Sequence, residues 1–325
     1  MQLTKIKQEV SLHRKVLKLM GNRFELSLVS DNAEWAHTCI DAAIAEIRRI
    51  EELLTTFKET NQTHLINQNA GIKPVKVGKE VFDLIQRSLR ISALTQGAFD
   101  ISYGSIDKRF WNFDTSMTSL PDKKIARQSI RLINYKNVIL DETAGTVFLK
   151  EKGMRIGFGG IGKGYAADRA KYILQQMGVT NAVVNAAGDL VTWGSQAEGK
   201  PWTVGIADPN AQHHPFSYLN ISNMAVATSG NYEKYAVING KRYSHTIDPK
   251  TGFPVSGIKS VTIICPSAEL ADAIATPVMV MGIRAGLDLI NQMNHIACIT
   301  IDDNNKLYTS NNIKIRYSEK TMVSS

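Results

Sequence analysis

The sequence has little cysteine. Cys39, Cys265 and Cys298 are all there is in 325 residues, and no C-x-x-C pair exists. An odd, widely spaced set in apolar contexts excludes a disulfide framework and a zinc site, and reads as buried thiols in a reducing compartment. Long apolar runs are also missing. No stretch reaches the roughly 20 apolar residues of a membrane span. The start, MQLTKIKQEVSLHRKVLKLMG, is basic but never runs apolar long enough for a secretory leader, and no lipid-attachment cysteine follows. A cytoplasmic protein is expected, or a coding start that omits a leader. Basic residues outnumber acidic ones by 38 to 30, a net charge of +8. That suits an anionic ligand, but the charges are scattered and never alternate with aromatics, so nucleic acid is not the expected partner. No internal repeat and no low-complexity segment is present.

What remains is ordinary globular material, 43% hydrophobic and 21% charged. Phe24–Leu28 alternates like a half-buried strand. Asp31 or Asn32 can cap a long helix whose stripe runs Ile40, Ile44, Ile47, Ile50, Leu54 and Phe57. THLINQNAGIKPVKVG reads as loop, and Lys79 to Leu94 as a second amphipathic helix ending before Gly97-Ala98-Phe99-Asp100. Residues 108–137 are irregular. Val138 to Met154 predicts a hairpin turning at Ala144-Gly145. A helix is expected from Tyr165 to about Met177 and a short buried strand at Ala182-Val183-Val184. Strands then dominate to Pro266, helices follow from Ser267 and near Ala285 to Met293, and strands close the chain. Helices and strands mix without strict alternation, so the expected fold is α+β, in one domain over 1–325.

The densest motif is GFGGIGKG, Gly157 to Gly164. It satisfies G-x-G-x-x-G, and Asp189 lies 27 residues beyond Gly162, but no βαβα series follows, as a dinucleotide fingerprint requires. It also satisfies G-x-x-x-x-G-K, yet Gly164 stands where a Walker loop needs the Ser or Thr that holds Mg²⁺. The plain alternative is a tight turn in which glycine supplies positive φ and close packing. Further on, Asp272 and Thr276 fall at i, i+4 on one helix face, a carboxylate and a hydroxyl suited to Mg²⁺. The surrounding Ala271, Ala273, Ile274, Ala275 and Val278 are apolar, and a buried carboxylate needs a partner. Pro277 should kink that helix. The run Tyr243 to Gly252 is dense in polar groups. There His245 is either a general base or a strand-end cap, and Asp248-Pro249-Lys250-Thr251-Gly252 is turn chemistry. His213-His214 reads as surface.

Taken in order, these segments resemble the ApbE family of flavin transferases. The blocks are Met20-Gly21, Gly97-Ala98-Phe99-Asp100, GGIGKGYAAD at 159–168, Val184 to Asp189, Ala227 to Tyr232, His245 to Gly252 and Ala271 to Thr276. The resemblance implies an enzyme that binds FAD and Mg²⁺, passes FMN to a threonine hydroxyl of a target protein and releases AMP, the targets being redox-pump subunits and related flavoproteins. It implies that Asp272, Thr276 and a main-chain carbonyl at Gly160 hold Mg²⁺. Met20, Phe57, Ala98, Phe99, Asp100, Lys163, His245 and Thr246 would line FAD, with His245 activating the acceptor hydroxyl. Two alternatives use the same pocket: a Mg²⁺-dependent pyrophosphatase splitting FAD into FMN and AMP, and a non-catalytic flavin-binding protein. The chain departs from the family where DLGGIAKG begins, with Gly157 in place of Asp, and Pro277 replaces a more ordinary helix residue. The family's frequent export signal and lipid anchor are missing. No threonine of the chain sits in the acceptor pattern D-x-x-[ST]-[AG]-[AT]-T, so self-flavinylation is not expected.

Overall fold

Strand β1 (Ser11–Leu19) and strand β2 (Asn22–Ser30) form an antiparallel hairpin through the two-residue turn Met20-Gly21, both in the left-handed region at φ 49° and 75°. The computed structural model describes residues 10–207, 215–231 and 234–313. The proposed surface pair His213-His214 and the motif residue Tyr232 lie outside these. The Asn32 side chain accepts from the Trp35 amide at 2.9 Å and caps helix α1 (Ala33–Leu54). Its buried residues, from Ala36 through Cys39, Ile40, Ala43, Ile44, Ile47 and Ile50 to Leu54, repeat every three or four positions, the helical period read from the sequence. Phe57 corrects that reading. It lies beyond the helix and is 91% exposed, so it does not continue the core stripe.

The expected loop after α1 contains helix α2 (Gln62–Gln68), capped by Asn61, and strand β3 (Val75–Lys76). Helix α3 (Lys79–Leu94) falls where the periodicity put it. Within the irregular 108–137 segment, Asp122 caps helix α4 (Lys123–Ser129). Strands β4 (Val138–Asp141) and β5 (Thr146–Leu149) make the expected hairpin. Helix α5 (Gly162–Gln176) starts three residues before the position read from the sequence.

The strand-rich stretch contains β6 (Ala182–Ala186), β7 (Asp189–Trp193), β8 (Trp202–Ala207), β9 (Pro215–Ile221), β10 (Ala225–Gly230), β11 (Tyr235–Ile238), β12 (Lys241–Ser244) and β13 (Ile258–Cys265). Helices α6 (Ala268–Met281) and α7 (Ile283–Asn291) follow, then β14 (Ala297–Asp302) and β15 (Leu307–Thr309). Helix α6 runs on through Pro277.

Eight strands form one sheet in the order β1-β2-β6-β7-β10-β13-β14-β15, antiparallel throughout. Helices α1, α5 and α6 lie side by side on one face, α1 over β1 and β2, α5 over β6 and β7, α6 over β10 and β13. Between the layers sit Phe24, Leu26, Val184, Val191, Ala227 and Ile263. Alternate residues Leu190, Val226, Ile264 and Ile299 point to the other face and pack with Val204 and Ile206 of β8. Mixed helices and antiparallel sheets make the fold α+β, as expected. The three cysteines are free and buried. Among the described residues no helix is long and apolar enough to cross a membrane.

Candidate functional site

The site lies at one end of the sheet. Two tight turns, Met20-Gly21 and Ala187-Gly188, meet there, since Phe24 pairs with Ala186 and the Ala187 amide donates to the Arg23 carbonyl at 3.1 Å. The second turn delivers Asp189, buried at the first position of β7. The glycine segment crosses the same end and opens α5.

None of the glycines from Gly157 to Gly164 has a positive φ, so the turn-strain explanation of this motif is corrected. The demand is for space. A Cβ on Gly164 would lie 2.1 Å from the Ala268 carbonyl oxygen and 2.9 Å from Asp272 Cβ. The close approach of α5 to α6 therefore forbids the serine or threonine of a Walker loop. Two contacts one helical turn apart lock this crossing. The Gly164 amide donates to Asp272 Oδ2 at 3.1 Å. Asp168, four residues on, accepts from the Ala268 and Glu269 amides at 3.0 Å each and from Ser267 Oγ at 2.8 Å. It thus caps α6 together with Ser267.

Lys163 projects from the first turn of α5 between two buried carboxylates. Its Nζ lies 2.7 Å from Asp189 Oδ2 and 3.4 Å from both Asp272 oxygens. Burial works against the ammonium charge, but Asp272 and Asp189 more than offset it and hold Lys163 charged. Burial and the neighbouring Asp272 charge push the Asp189 carboxyl up to about 7, against the pull of Lys163 and the Thr228 amide. On the next turn of α6, Thr276 Oγ1 is 2.9 Å from Ser229 Oγ of β10.

The other expected site residues divide. The Phe99 ring covers Gly160, within 3.5 Å of where a Cβ would stand, and Met20 Cε lies 3.7 Å from the same point on Gly162. Both therefore border the glycine segment, Met20 from a strained backbone. Ala98 is buried in the same turn. Asp100 is buried and fully engaged: Oδ1 accepts from the Ser102 amide and hydroxyl at 2.8 and 2.6 Å, and Oδ2 from the Tyr135 amide at 2.9 Å. Burial raises its pKa, and these bonds offset only part of that rise. His245 is exposed, with Nδ1 3.3 Å from the Lys234 carbonyl, and no contact joins it to Lys163 or Asp272. The Thr246 amide is held by Ser244 Oγ at 3.1 Å. The Tyr103 hydroxyl, hydrogen-bonded to the Ile247 backbone, ties this segment to the turn at 97–100.

Sequence reasoning gave no role to Asp168 or Ser229, and weighed Asp189 only as the acid of a dinucleotide fingerprint. The signal for Asp189 was an acid at the mouth of a tight turn between apolar strands, which needs a cation once buried.

The donors fit a hard divalent cation. Asp272 and Thr276 offer a carboxylate and a hydroxyl one turn apart. Because the Gly164 amide is taken by Asp272, no described backbone amide donates to the Gly160 carbonyl, which is left with its lone pairs free. Such an oxygen set, completed by water and phosphate, is what Mg²⁺ takes. Among the described residues no cluster of three or more His, Cys, Asp or Glu is arranged for a metal.

A model of the ApbE family matches residues 20–300. An FAD:protein FMN transferase of Klebsiella pneumoniae is 33% identical over 92% of this chain and 92% of its own length. The ApbE protein of Thermotoga maritima superposes with a TM-score of 0.81 at 29% identity, over 93% of this chain and 98% of its own. The apo flavinyl transferase ApbE of Pseudomonas stutzeri gives 0.79 at 25% identity, over 93% and 94%. The chain belongs to the ApbE family.

Proposed function

We propose that this protein is an FAD:protein FMN transferase: it binds FAD and Mg²⁺, passes FMN to a threonine hydroxyl of a target protein and releases AMP. The observation that carries the reading is the placement of Lys163, held between Asp189 and Asp272 under a glycine segment at a helix start. The names of the similar proteins support it. In the step, the threonine oxygen bonds to the FMN phosphorus as the bridging phosphorus–oxygen bond breaks and AMP departs. The hydroxyl proton goes to a base, for which His245 is the nearest candidate by motif, typically worth about 10²–10⁴-fold. Lys163, with the positive end of the α5 dipole behind it, would face the pyrophosphate and stabilise charge in place. Mg²⁺, when bound by Asp272, Thr276 and the Gly160 carbonyl, would neutralise further phosphate charge. Met20, Ala98, Phe99, Asp100 and the exposed Phe57, with His245 and Thr246, would line FAD. The reading takes 1–325 as one unit, since one sheet draws strands from Ser11–Leu19 to Leu307–Thr309. The buried free thiols support a cytoplasmic setting, and a redox-pump subunit or related flavoprotein is the proposed acceptor.

Purified protein is incubated with FAD and a threonine-bearing acceptor peptide, with and without Mg²⁺, while AMP and peptide mass are followed. A peptide heavier by FMN, with Mg²⁺ alone, is the expected result. AMP without a labelled peptide would replace transferase with pyrophosphatase, and FAD binding without AMP would leave a flavin-binding protein.

A further inference from the structure

The turn Gly97-Ala98-Phe99-Asp100 has two faces. Phe99 faces the glycine segment. On the other side, a methyl on Gly97 would lie 3.6 Å from the Tyr135 ring and 4.0 Å from Lys250 Cε. That side opens into a cleft of about 690 Å³ whose walls carry Arg127, Arg131, Lys136 and Lys250. All four are exposed, and none makes an ion pair or a side-chain hydrogen bond among the described residues. Arg131 feels the Asp107 charge, but that carboxylate is committed to Arg109 at 2.7 and 2.9 Å. The one acidic lining residue, Asp100, has its oxygens filled by Ser102 and Tyr135.

The cleft is built, not incidental. Gly252, at φ 76°, brings the Asp248–Gly252 turn so close to α4 that a Cβ would sit 2.2 Å from the Ala126 carbonyl oxygen. Glycine is required both for that φ and for that approach. The turn bearing Lys250 and the helix bearing Arg127 are thereby fixed against each other, and four like charges are held around one opening. Such an arrangement is self-repelling and is relieved by an anionic partner.

We infer that this cleft docks an acidic segment of the acceptor protein, seated across the 97–100 turn from the flavin site. The inference rests on the transferase reading for the identity of the partner. Its basis is charge complementarity: open, unpaired cations against carboxylates, one turn away from where the acceptor threonine must arrive.

The test uses the full chain, a fluorescent threonine-containing peptide rich in glutamate, the same peptide with glutamine in place of glutamate, and inorganic phosphate. Wild type should bind the glutamate peptide at least about tenfold more tightly than the glutamine peptide, with the advantage shrinking as salt rises. Arg127→Glu with Arg131→Glu should abolish the advantage while leaving FAD affinity unchanged. Lys123→Glu with Lys124→Glu, on the same helix but outside the cleft, should retain it. Equal binding of the two peptides, equal loss in both double variants, or loss of FAD affinity with the cleft variant would overturn the docking claim. So would displacement of the glutamate peptide by phosphate at equal concentration, since that marks a small-anion site. Labelling with FMN is scored separately: a peptide that binds in the cleft yet never gains FMN counts against the transferase reading and not against the docking surface.

Discussion

The Gly164 amide donates to Asp272 Oδ2 across 3.1 Å, where a helix would otherwise direct that amide to the Gly160 carbonyl. One bond thus fixes the carboxylate and closes the α5–α6 crossing. The crossing has no room to spare. Gly164→Ala would drive a methyl to 2.1 Å from the Ala268 carbonyl oxygen. A loss of more than about 3 kcal/mol is expected, at the severe end of overpacking, read as a lowered denaturation midpoint. A wild-type midpoint would contradict the packing account of the glycine motif.

Asp189 is a positioning residue: it meets Lys163 at 2.7 Å and would act on the proposed flavin site through that ammonium. Asp189→Asn should lower kcat by about 10²-fold, as for loss of a preorganised charge group. Asp189→Glu should recover part of the activity, which a purely structural role would not predict. Lys163→Ala should cost at least as much.

Two carboxylates should give stability slopes of opposite sign. Arg49 and the Tyr165 hydroxyl hold Glu80 down to about 2, so its contribution is present above the ordinary carboxylate value and is lost as pH falls through about 2. Asp189, raised to about 7, binds its proton more tightly folded than unfolded. Its contribution is present at low pH and is lost as pH rises through about 7. In chemical denaturation, Glu80→Gln should flatten the acid limb and Asp189→Asn the slope between about pH 4 and 7.

Gly157 stands where the resemblance implies an Asp, and nothing in this fold requires glycine there: a Cβ would meet no atom within 4 Å, and φ is not positive. Gly157→Asp should fold with an unchanged midpoint and lower the Kd for FAD. A destabilised variant would show that the departure is structural.

Much of the architecture was legible because its elements repeat. Helix α1 and helix α3 carry long stripes, α1 with a capping Asn32 as well, and Asp272 and Thr276 were placed by helical spacing alone. Helices α2 and α4 span seven residues each, too short to show a period. Edge strand β1 is exposed along most of its length, so no alternation marks it. The partners of the site were hidden because they act across the chain: Asp168 caps a helix whose Ser267 is 99 residues away. Asp189 becomes a ligand for Lys163 only when the β6–β7 turn and α5 meet.

The central claim is that Asp272, with Thr276 and the Gly160 carbonyl, holds the cation that lets FMN move. The most direct measurement is the intact mass of a threonine acceptor after incubation with FAD and Mg²⁺, comparing wild type with Asp272→Ala. FAD affinity is measured in both without the metal. The account predicts an FMN-labelled acceptor with wild type and none with the variant, at comparable metal-free FAD affinity. An acceptor labelled equally by both proteins would contradict it.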